Sequence, residues 1–298
     1  MKSSSMMSSS RRIAVVGCAG QFGTDLVEVL AGTGRYTVDA VDHEQMDVAD
    51  ADGTRRVIAA GHYDVVINSA AFHQVDKCED DPAEAMSVNA VGALNVARAC
   101  AEVGALCVYV STDYVFSGDK GEPYVESDEI LPLNVYGVSK AAGEYLAKQT
   151  SRWLVVRISS VIGKAGARGK GGNFIEAILS RAKSGQSLQV VNDSWMSPTY
   201  TKDAAKAVDA LLQRDATGTY HLSNRGRCTW HEFATLAVSL VGLKVPVLPV
   251  GSEMFPSKAR RPRDSALDVS LLERTTGLAA RPWQEALRDY LVEKGHIA

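Results

Sequence analysis

Tyr136 and Lys140 form a Tyr-x-x-x-Lys pattern at the start of a predicted helix. A spacing of four residues places the phenol and the ammonium on one helix face. Free tyrosine has a pKa of about 10, and a nearby positive charge favours the phenolate. The pair is therefore suited to proton transfer at neutral pH. The run from Ser111 to Tyr114 follows a predicted strand, and a hydroxyl there could polarise a substrate carbonyl.

The same spacing occurs a second time, at Tyr290 and Lys294. The chain has 10 tyrosines, so about half a match is expected by chance and the spacing alone is weak evidence. The second copy lies in the C-terminal helix without a hydroxyl-bearing strand end before it, and we interpret it as surface. The first copy is favoured by its position after a nucleotide-binding turn and a Ser/Thr strand end.

That nucleotide-binding turn is the glycine-rich segment between the first predicted strand and the first predicted helix. Gly17, Gly20 and Gly23 let the backbone approach a pyrophosphate, whose charge is held by exposed N–H groups and the helix N-terminus. The spacing G-x-x-G-x-x-G differs from the G-x-G-x-x-G fingerprint, and any tight turn uses glycine. The strand-turn-helix context favours a dinucleotide site.

Asp42 closes the second predicted strand, 19 residues after Gly23. A carboxylate there can accept hydrogen bonds from the adenosine ribose hydroxyls, and it would repel a 2'-phosphate. No Lys or Arg follows until Arg55. Asp42 therefore favours NADH over NADPH. The alternative is that it caps the next loop.

The elements that must position these residues alternate between short apolar runs and helical stretches. Strands rich in Val and Ile, apolar on both faces and separated by helices, predict an α/β fold with a doubly wound parallel sheet of the Rossmann type. The predicted strands are 13–16, 37–41, 64–67, 107–110 and 154–156, and the main predicted helices end near Leu30 or span about 82–103 and 134–148.

The character of the chain changes after Ser160, where glycine, lysine, arginine and clustered proline become frequent. We predict a disordered lead-in at residues 1–11 and a dinucleotide-binding domain at 12–160. Residues 161–298 would form mostly a smaller substrate-binding lobe, with segments near 190–222 that rejoin the first domain.

Composition excludes several classes of protein. The 298 residues are 46% hydrophobic and 22% charged, and 32 Lys and Arg against 35 Asp and Glu argue against a nucleic-acid-binding protein. No apolar run approaches the roughly 18 residues of a membrane span, and the start lacks the apolar core of a secretory signal. The five cysteines are scattered, which supports neither a disulfide framework nor a zinc site. We expect a cytoplasmic protein without a metal site.

Four segments carry a resemblance to known proteins: GCAGQFG at 17–23, NSAAFHQVDKCE at 68–79, STDYVFSG at 111–118 and PLNVYGVSK at 132–140. Through them the chain resembles the extended short-chain dehydrogenase/reductase superfamily. Within it, the chain is similar to the dTDP-4-dehydrorhamnose reductase family from about Arg12 to the C-terminus.

This resemblance implies a reaction and a set of site residues. NAD(P)H would give a hydride to the 4-keto carbon of a dTDP-4-keto-6-deoxy-L-hexose, with dTDP-L-rhamnose as the favoured product. Tyr136 would donate the proton, and Thr112 would orient the 4-keto oxygen. Lys140 would tune the pKa of Tyr136 and hold the nicotinamide ribose. Thr112 and Asp113 would contact the sugar nucleotide. The implied dinucleotide contacts are Gly20, Gln21, Phe22, Asp42, Asp47, Val48, Ala70, Ala71 and Phe72.

The chain departs from the family pattern where the sugar would bind. Ser160 stands where family members tend to have an aromatic residue facing the substrate, and the loop at 163–172 is longer. His73 replaces a small hydroxyl residue, although a lone His is more often packed or solvated. Basic residues in two segments suit a nucleotide diphosphate: Arg168 and Lys170, or Arg260 and Arg261. The identity of the sugar stays open.

Other functions remain as alternatives. Dehydratases of this superfamily carry an Asp-Glu pair after the catalytic Thr, whereas Thr112 is followed by Asp113 and Tyr114. An epimerase would keep its dinucleotide bound, and a reductase of another keto-sugar is also open. Some relatives are dinucleotide-binding regulatory subunits, for example of methionine adenosyltransferase. The magnesium that some family members use at a dimer interface is not indicated by this sequence, and a homodimer is a candidate assembly.

Overall fold

A parallel sheet lies at the centre of the protein, whose computed structural model describes residues 10–166 and 172–298. The strands are β1 (Arg11–Val16), β2 (Tyr36–Val41), β3 (Val65–Asn68), β4 (Leu106–Thr112), β5 (Trp153–Ile158), β6 (Val161–Ile162), β7 (Leu188–Val191), β8 (Trp195–Met196), β9 (Thr199–Tyr200), β10 (Gly218–Leu222), β11 (Cys228–Thr229) and β12 (Val247–Val250). Six of them pair in the order β10-β5-β4-β3-β1-β2, and each pair is parallel.

Helices cover both faces of this sheet. The helices of the described residues are α1 (Gln21–Gly32), α2 (Ala51–Gly61), α3 (Val75–Asp80), α4 (Pro82–Met86), α5 (Gly92–Val103), α6 (Val135–Ala147), α7 (Phe174–Lys183), α8 (Thr201–Gln213), α9 (Trp230–Leu240), α10 (Ser270–Thr276) and α11 (Trp283–Glu293). Leu26 of α1 and Val208 of α8 pack on one face, and Ile58 of α2 and Val96 of α5 on the other. The predicted doubly wound parallel sheet is confirmed.

The strand order fixes where a ligand can bind. The chain moves outward from β1 to β2 and then returns to β3 on the opposite side of β1, which makes the β1/β3 boundary a topological switch point. In open α/β sheets, ligands bind in the crevice outside the carboxyl ends of the strands at such a point. Every residue of β3 and β4 is buried, so these central strands hold their carboxyl ends in fixed positions.

A second hydrophobic cluster lies in the part of the chain after β5. Side chains from α7, α9 and α11 pack together there, including Leu179, Phe233 and Leu287. Between these helices the chain returns to the sheet, because α8 packs against α1 and β10 pairs with β5. The division into domains at residues 160 and 161 stays a prediction.

Two expectations from the sequence need correction, and a third needs one addition. β1 begins at Arg11, which pairs with Tyr36, so residue 11 belongs to the sheet and not to a disordered lead-in. The helix predicted over 82–103 has these bounds, but a π-helical turn at Ser87–Val91, which was not predicted, lies between α4 and α5. Tyr290, interpreted as surface, is fully buried in the second cluster because its face of α11 packs against the other helices.

Candidate active site

The end of β4 and the start of α6 meet at the carboxyl edge of the sheet. Asn134 caps α6 by accepting a hydrogen bond from the Gly137 amide at 2.8 Å, and its side-chain amide donates to the Arg260 carbonyl at 2.8 Å. A Cβ at Gly137 would lie 2.3 Å from the Tyr114 carbonyl oxygen. Glycine therefore lets the first turn of α6 approach the segment after β4, which carries Thr112.

Tyr136 faces that segment. Its hydroxyl is hydrogen bonded to Thr112, and the Tyr114 ring packs edge-on at a centroid distance of 6.0 Å. Burial raises the pKa of Tyr136 above the ordinary value, and the Thr112 hydrogen bond opposes this only in part. The phenol is therefore neutral at pH 7 and holds a proton that it can donate.

Lys140 is fully buried one turn further along α6. Its Nζ donates to the Val110 carbonyl at 2.6 Å and lies 4.2 Å from the centroid of the Tyr109 ring. Burial lowers the pKa of Lys140 to about 7, and the charge of Glu144 opposes that effect. Burial is the largest influence on the pKa of Tyr136 in this structure, and the expected tuning of the phenol by Lys140 stays a prediction.

Asp113 lies beside these residues and is 3% exposed. Its Oδ2 accepts hydrogen bonds from Ser159 at 2.9 Å and Ser265 at 2.6 Å, and its Oδ1 accepts one from Thr112 at 3.1 Å. Burial raises the pKa of Asp113 to about 6. The carboxylate therefore faces protein hydroxyls and holds Thr112 in place, while its predicted contact with the sugar nucleotide stays a prediction.

The glycine-rich turn lies across the sheet between β1 and α1. Gly17 has φ of +77°, and a Cβ there would lie 2.8 Å from the Ala70 amide nitrogen. A Cβ at Gly23 would lie 2.2 Å from the Gly17 carbonyl oxygen. Gly20 occupies the N-cap of α1 without a side-chain hydrogen bond to the first turn. The turn is thus held tightly while the N–H groups of α1 are left for an anion.

The side chains that follow Gly20 point into the protein. Phe22 packs in the main hydrophobic cluster. The Gln21 amide donates to the Val161 carbonyl at 2.9 Å and its oxygen accepts from Asn173 at 3.2 Å. The dinucleotide contacts of Gln21 and Phe22 stay predictions, which would involve their backbone groups.

The remaining predicted dinucleotide residues lie in the loops after β2 and β3. The Asp42 Oδ1 accepts from the Gln45 amide at 3.0 Å, so this carboxylate caps its loop, as the alternative interpretation stated. Asp47 is exposed, and the Val48 carbonyl is held by the Asn95 amide at 2.9 Å. After β3, the partly buried residues are Ala70, Ala71 and Phe72.

The chain is similar to known proteins over nearly its whole length. Residues 11–295 match the family model described as RmlD substrate binding domain. The spore coat polysaccharide biosynthesis protein SpsK of Bacillus subtilis (strain 168) is 41% identical over 286 residues, which cover 95% of this chain and 98% of that protein. The dTDP-4-dehydrorhamnose reductase of Mycolicibacterium smegmatis is 38% identical over 285 residues, which cover 94% of this chain and 85% of the relative.

A solved structure agrees with these matches. The dTDP-4-dehydrorhamnose reductase of Bacillus anthracis str. Ames, in complex with NADP, superposes with a TM-score of 0.90 at 36% identity and covers 95% of this chain and 99% of its own. The chain belongs to the dTDP-4-dehydrorhamnose reductase family. The family resemblance stated from the sequence is confirmed.

Asn89 is a residue of the site that the sequence reasoning missed. It lies in the π-helical turn, where its Oδ1 accepts from the Phe72 amide at 2.9 Å and its Nδ2 donates to the Phe72 carbonyl at 3.0 Å. The same Nδ2 donates to Ser139 Oγ at 2.9 Å. Asn89 thus joins the loop after β3 to α6, the helix that carries Tyr136 and Lys140. A polar residue inside an Ala-rich helix was the available signal.

The residues at which this chain departs from the family pattern lie around the same edge. Ser160 lies between β5 and β6, directly before Val161, with φ of +42°, a strained conformation for a residue other than glycine. His73 is partly buried. Arg260 and Arg261 are both exposed, and Arg261 donates to Asp76 at 3.0 Å and is hydrogen bonded to Tyr114. Arg168 and Lys170 lie outside the described residues.

The described ranges 10–166 and 172–298 were searched for metal sites and for membrane-spanning helices. Within them, no group of three or more His, Cys, Asp or Glu side chains is arranged to hold a metal ion. The helices in these ranges are too short or too polar to cross a membrane.

Proposed function

We propose that this protein is an NAD(P)H-dependent reductase of the 4-keto group of a dTDP-4-keto-6-deoxy-L-hexose, with dTDP-4-dehydro-L-rhamnose as substrate and dTDP-L-rhamnose as product. The observation that carries the proposal is the grouping of Thr112, Tyr136 and Lys140 at the carboxyl edge of the sheet. The uncapped N-terminus of α1 lies at the same edge and suits the pyrophosphate of a nicotinamide dinucleotide. The names of the relatives support the substrate class.

The proposed chemistry assigns one task to each of the three residues. The nicotinamide, when bound, supplies a hydride for the 4-keto carbon. Tyr136 is neutral at pH 7 because burial raises its pKa, and it gives its proton to the 4-keto oxygen as negative charge develops. Thr112, once its hydroxyl turns away from Asp113, donates a hydrogen bond to that oxygen. The Lys140 ammonium holds the nicotinamide ribose and stabilises the tyrosinate that remains.

The cofactor preference follows from Asp42 in this proposal. NADH and NADPH both fit the glycine-rich turn, and the Asp42 carboxylate favours NADH because it would repel a 2'-phosphate. The Bacillus anthracis relative was solved with NADP, so the preference within the family has to be measured for this chain.

The diphosphate of the substrate is proposed to bind near Arg260 and Arg261, since Arg261 already contacts Tyr114 beside Tyr136. Ser160 would face the sugar.

Because SpsK is named for spore coat polysaccharide synthesis, reduction of another nucleotide-linked keto-sugar is the second candidate function.

Location and assembly are lesser parts of the proposal. We keep the cytoplasm as the proposed site of action, on the scattered cysteine positions of the sequence. A homodimer is the proposed assembly, without magnesium as a required cofactor.

The first experiment follows nicotinamide absorbance after mixing the protein with NADH or NADPH and enzymatically generated dTDP-4-dehydro-L-rhamnose. Absorbance loss that requires both components is expected. Tyr136→Phe should lower kcat by about 100-fold or more, because the proton donor is removed. Tyr145→Phe is the matched control, since Tyr145 lies on the same helix with 59% exposure. A Tyr136→Phe variant within twofold of the parent would reject the assigned donor.

The alternatives give different results in the same assay. An epimerase would convert substrate without net loss of reduced nicotinamide. A reductase of another keto-sugar would bind dinucleotide but leave this substrate unchanged. A regulatory subunit would copurify with a larger enzyme and show no turnover alone.

A further inference from the structure

Glu144 extends the catalytic face of α6 by one more turn. It follows Lys140 by four residues and Tyr136 by eight, so the three side chains lie on one side of the helix. Glu144 is fully buried. A buried carboxylate on this face is costly unless every lone pair is used and a counter-charge is near.

Arg157 on β5 provides that counter-charge. Its Nε donates to Glu144 Oε1 and its Nη2 to Glu144 Oε2, both at 2.8 Å, which is a bidentate pair. Ser111 Oγ donates to Glu144 Oε1 at 2.6 Å. Ser111 directly precedes Thr112, so Glu144 links the helix of Tyr136 and Lys140 to the strand that carries the predicted carbonyl-orienting hydroxyl.

The other contacts of Arg157 do not replace Glu144 as its anion. Its Nη1 donates to the Glu126 carbonyl at 3.3 Å and lies 3.3 Å from His221 Nε2. Burial lowers the pKa of His221 to about 3, so this imidazole is neutral at pH 7. Glu144 and Arg157 therefore form a pair of net charge zero beside Lys140.

We propose that Glu144 and Arg157 are positioning residues, which together set how readily Lys140 keeps its proton and hold Ser111 and Thr112 in register with α6. Neither residue is proposed to touch the substrate or the cofactor. This inference rests on the proposed function only for the catalytic part of its test.

Lys140 is sensitive to this pair because its own ammonium donates to a backbone carbonyl and a buried site disfavours its charge. Glu144 favours the charged form, and Arg157 balances Glu144. The titratable groups of α6 and of the elements packed on this face are Tyr136 and Glu144 on α6, Lys148 directly after α6, Cys107 and Tyr109 on β4, Asp113 and Tyr114 after β4, Glu126 in the segment before α6, Arg157 on β5, His221 on β10, and Cys78 and Glu79 on α3.

Removal of one charge at a time separates a tuning role from a structural one. Glu144→Gln leaves the guanidinium without its anion, so the pKa of Lys140 should fall and the alkaline limb of the kcat/KM profile should move to lower pH. Arg157→Met leaves the carboxylate to Lys140, so that limb should move to higher pH. We expect shifts of about one pH unit in opposite directions. The double variant should lie between the two.

A second readout does not depend on turnover. The ε-carbon NMR resonance of Lys140 in the cofactor-free protein, assigned by its loss in Lys140→Met, should titrate with the same opposite shifts. If these shifts occur without turnover by the parent, the positioning role stands and the proposed function fails.

Two results would overturn the positioning role. One is an unchanged alkaline limb and Lys140 titration in both single variants, and the other is a shift in the same direction. Should a single variant fail to fold, Glu144→Asp and Arg157→Lys keep both charges and loosen their contacts. They are expected to shift the titration in the same respective directions by smaller amounts.

Discussion

Asp113 shows how one side chain can join separate parts of the site. Its donors come from three places: Thr112 at the end of β4, Ser159 after β5, and Ser265 in the segment before α10. Hydroxyl donors favour the ionised form, whereas burial disfavours it and is the larger effect, so the pKa is raised.

This raised pKa predicts a pH-dependent stability. The folded value of about 6 exceeds the ordinary value of 3.8, so stability from protonated Asp113 is present below about pH 4 and is lost as the pH rises through 6. Asp113→Asn does not titrate, so its free energy of unfolding relative to the parent should rise between pH 4 and pH 7 by at most about 3 kcal/mol.

Urea unfolding of both proteins at several pH values measures this difference. Asp119→Asn is the control, because Asp119 is exposed in the loop that follows. A difference between Asp113→Asn and the parent that stays constant with pH would contradict the raised pKa.

Asp42 makes a prediction about the cofactor. Asp42→Ala removes the carboxylate that would repel a 2'-phosphate, so the ratio of kcat/KM for NADPH to that for NADH should rise by roughly tenfold. Glu44→Gln removes a charge from an exposed position in the same loop and should leave the ratio unchanged. An equal effect of the two variants would show that only the overall charge of the loop matters.

At the scale of elements, two glycines of the turn before α1 differ in how much space a side chain would have. Gly23→Ala would put a Cβ 2.2 Å from the Gly17 carbonyl oxygen, whereas the nearest atom to a Cβ at Gly20 is 3.3 Å away. Gly23→Ala should therefore lower the free energy of unfolding by about 2 kcal/mol or more, because backbone must move. Gly20→Ala should cost about 1 kcal/mol or less. Similar losses in urea unfolding of the cofactor-free variants would contradict this distinction.

The sequence predicted most of these elements because strands of the sheet interior are continuous apolar runs and glycine marks the turn between β1 and α1. It did not predict the π-helical turn that holds Asn89, since that turn depends on contacts with Phe72 and Ser139 from distant segments. Periodicity also gave no means to distinguish the buried Tyr290 from a surface tyrosine. Glu144 was also missed, because its partners Ser111 and Arg157 lie on strands and the periodicity of α6 does not show them.

At the scale of the whole molecule, Tyr290 ties α11 to α7. Its hydroxyl donates to Glu176 at 2.6 Å and accepts from the Asn173 amide at 2.9 Å. Tyr290→Phe removes the hydroxyl from a fully buried position and takes one hydrogen bond from each of two partly buried partners, so the free energy of unfolding should fall by about 1 to 2 kcal/mol. Tyr145→Phe, at an exposed position, should change it by less than about 0.5 kcal/mol. Equal effects in thermal unfolding would restore the surface interpretation of Tyr290.

The return of the chain from the second hydrophobic cluster to β10 has a consequence for engineering. A protein truncated after residue 160 would lose β10, which pairs with β5, and α8, which packs against α1. Exchange between relatives of the segments that would recognise the sugar therefore needs at least two junctions. They must leave α8 and β10 with the sheet on which they pack. A single-crossover chimera would pair β5 of one parent with β10 of the other, and this mismatched edge makes it a candidate for aggregation rather than for altered specificity.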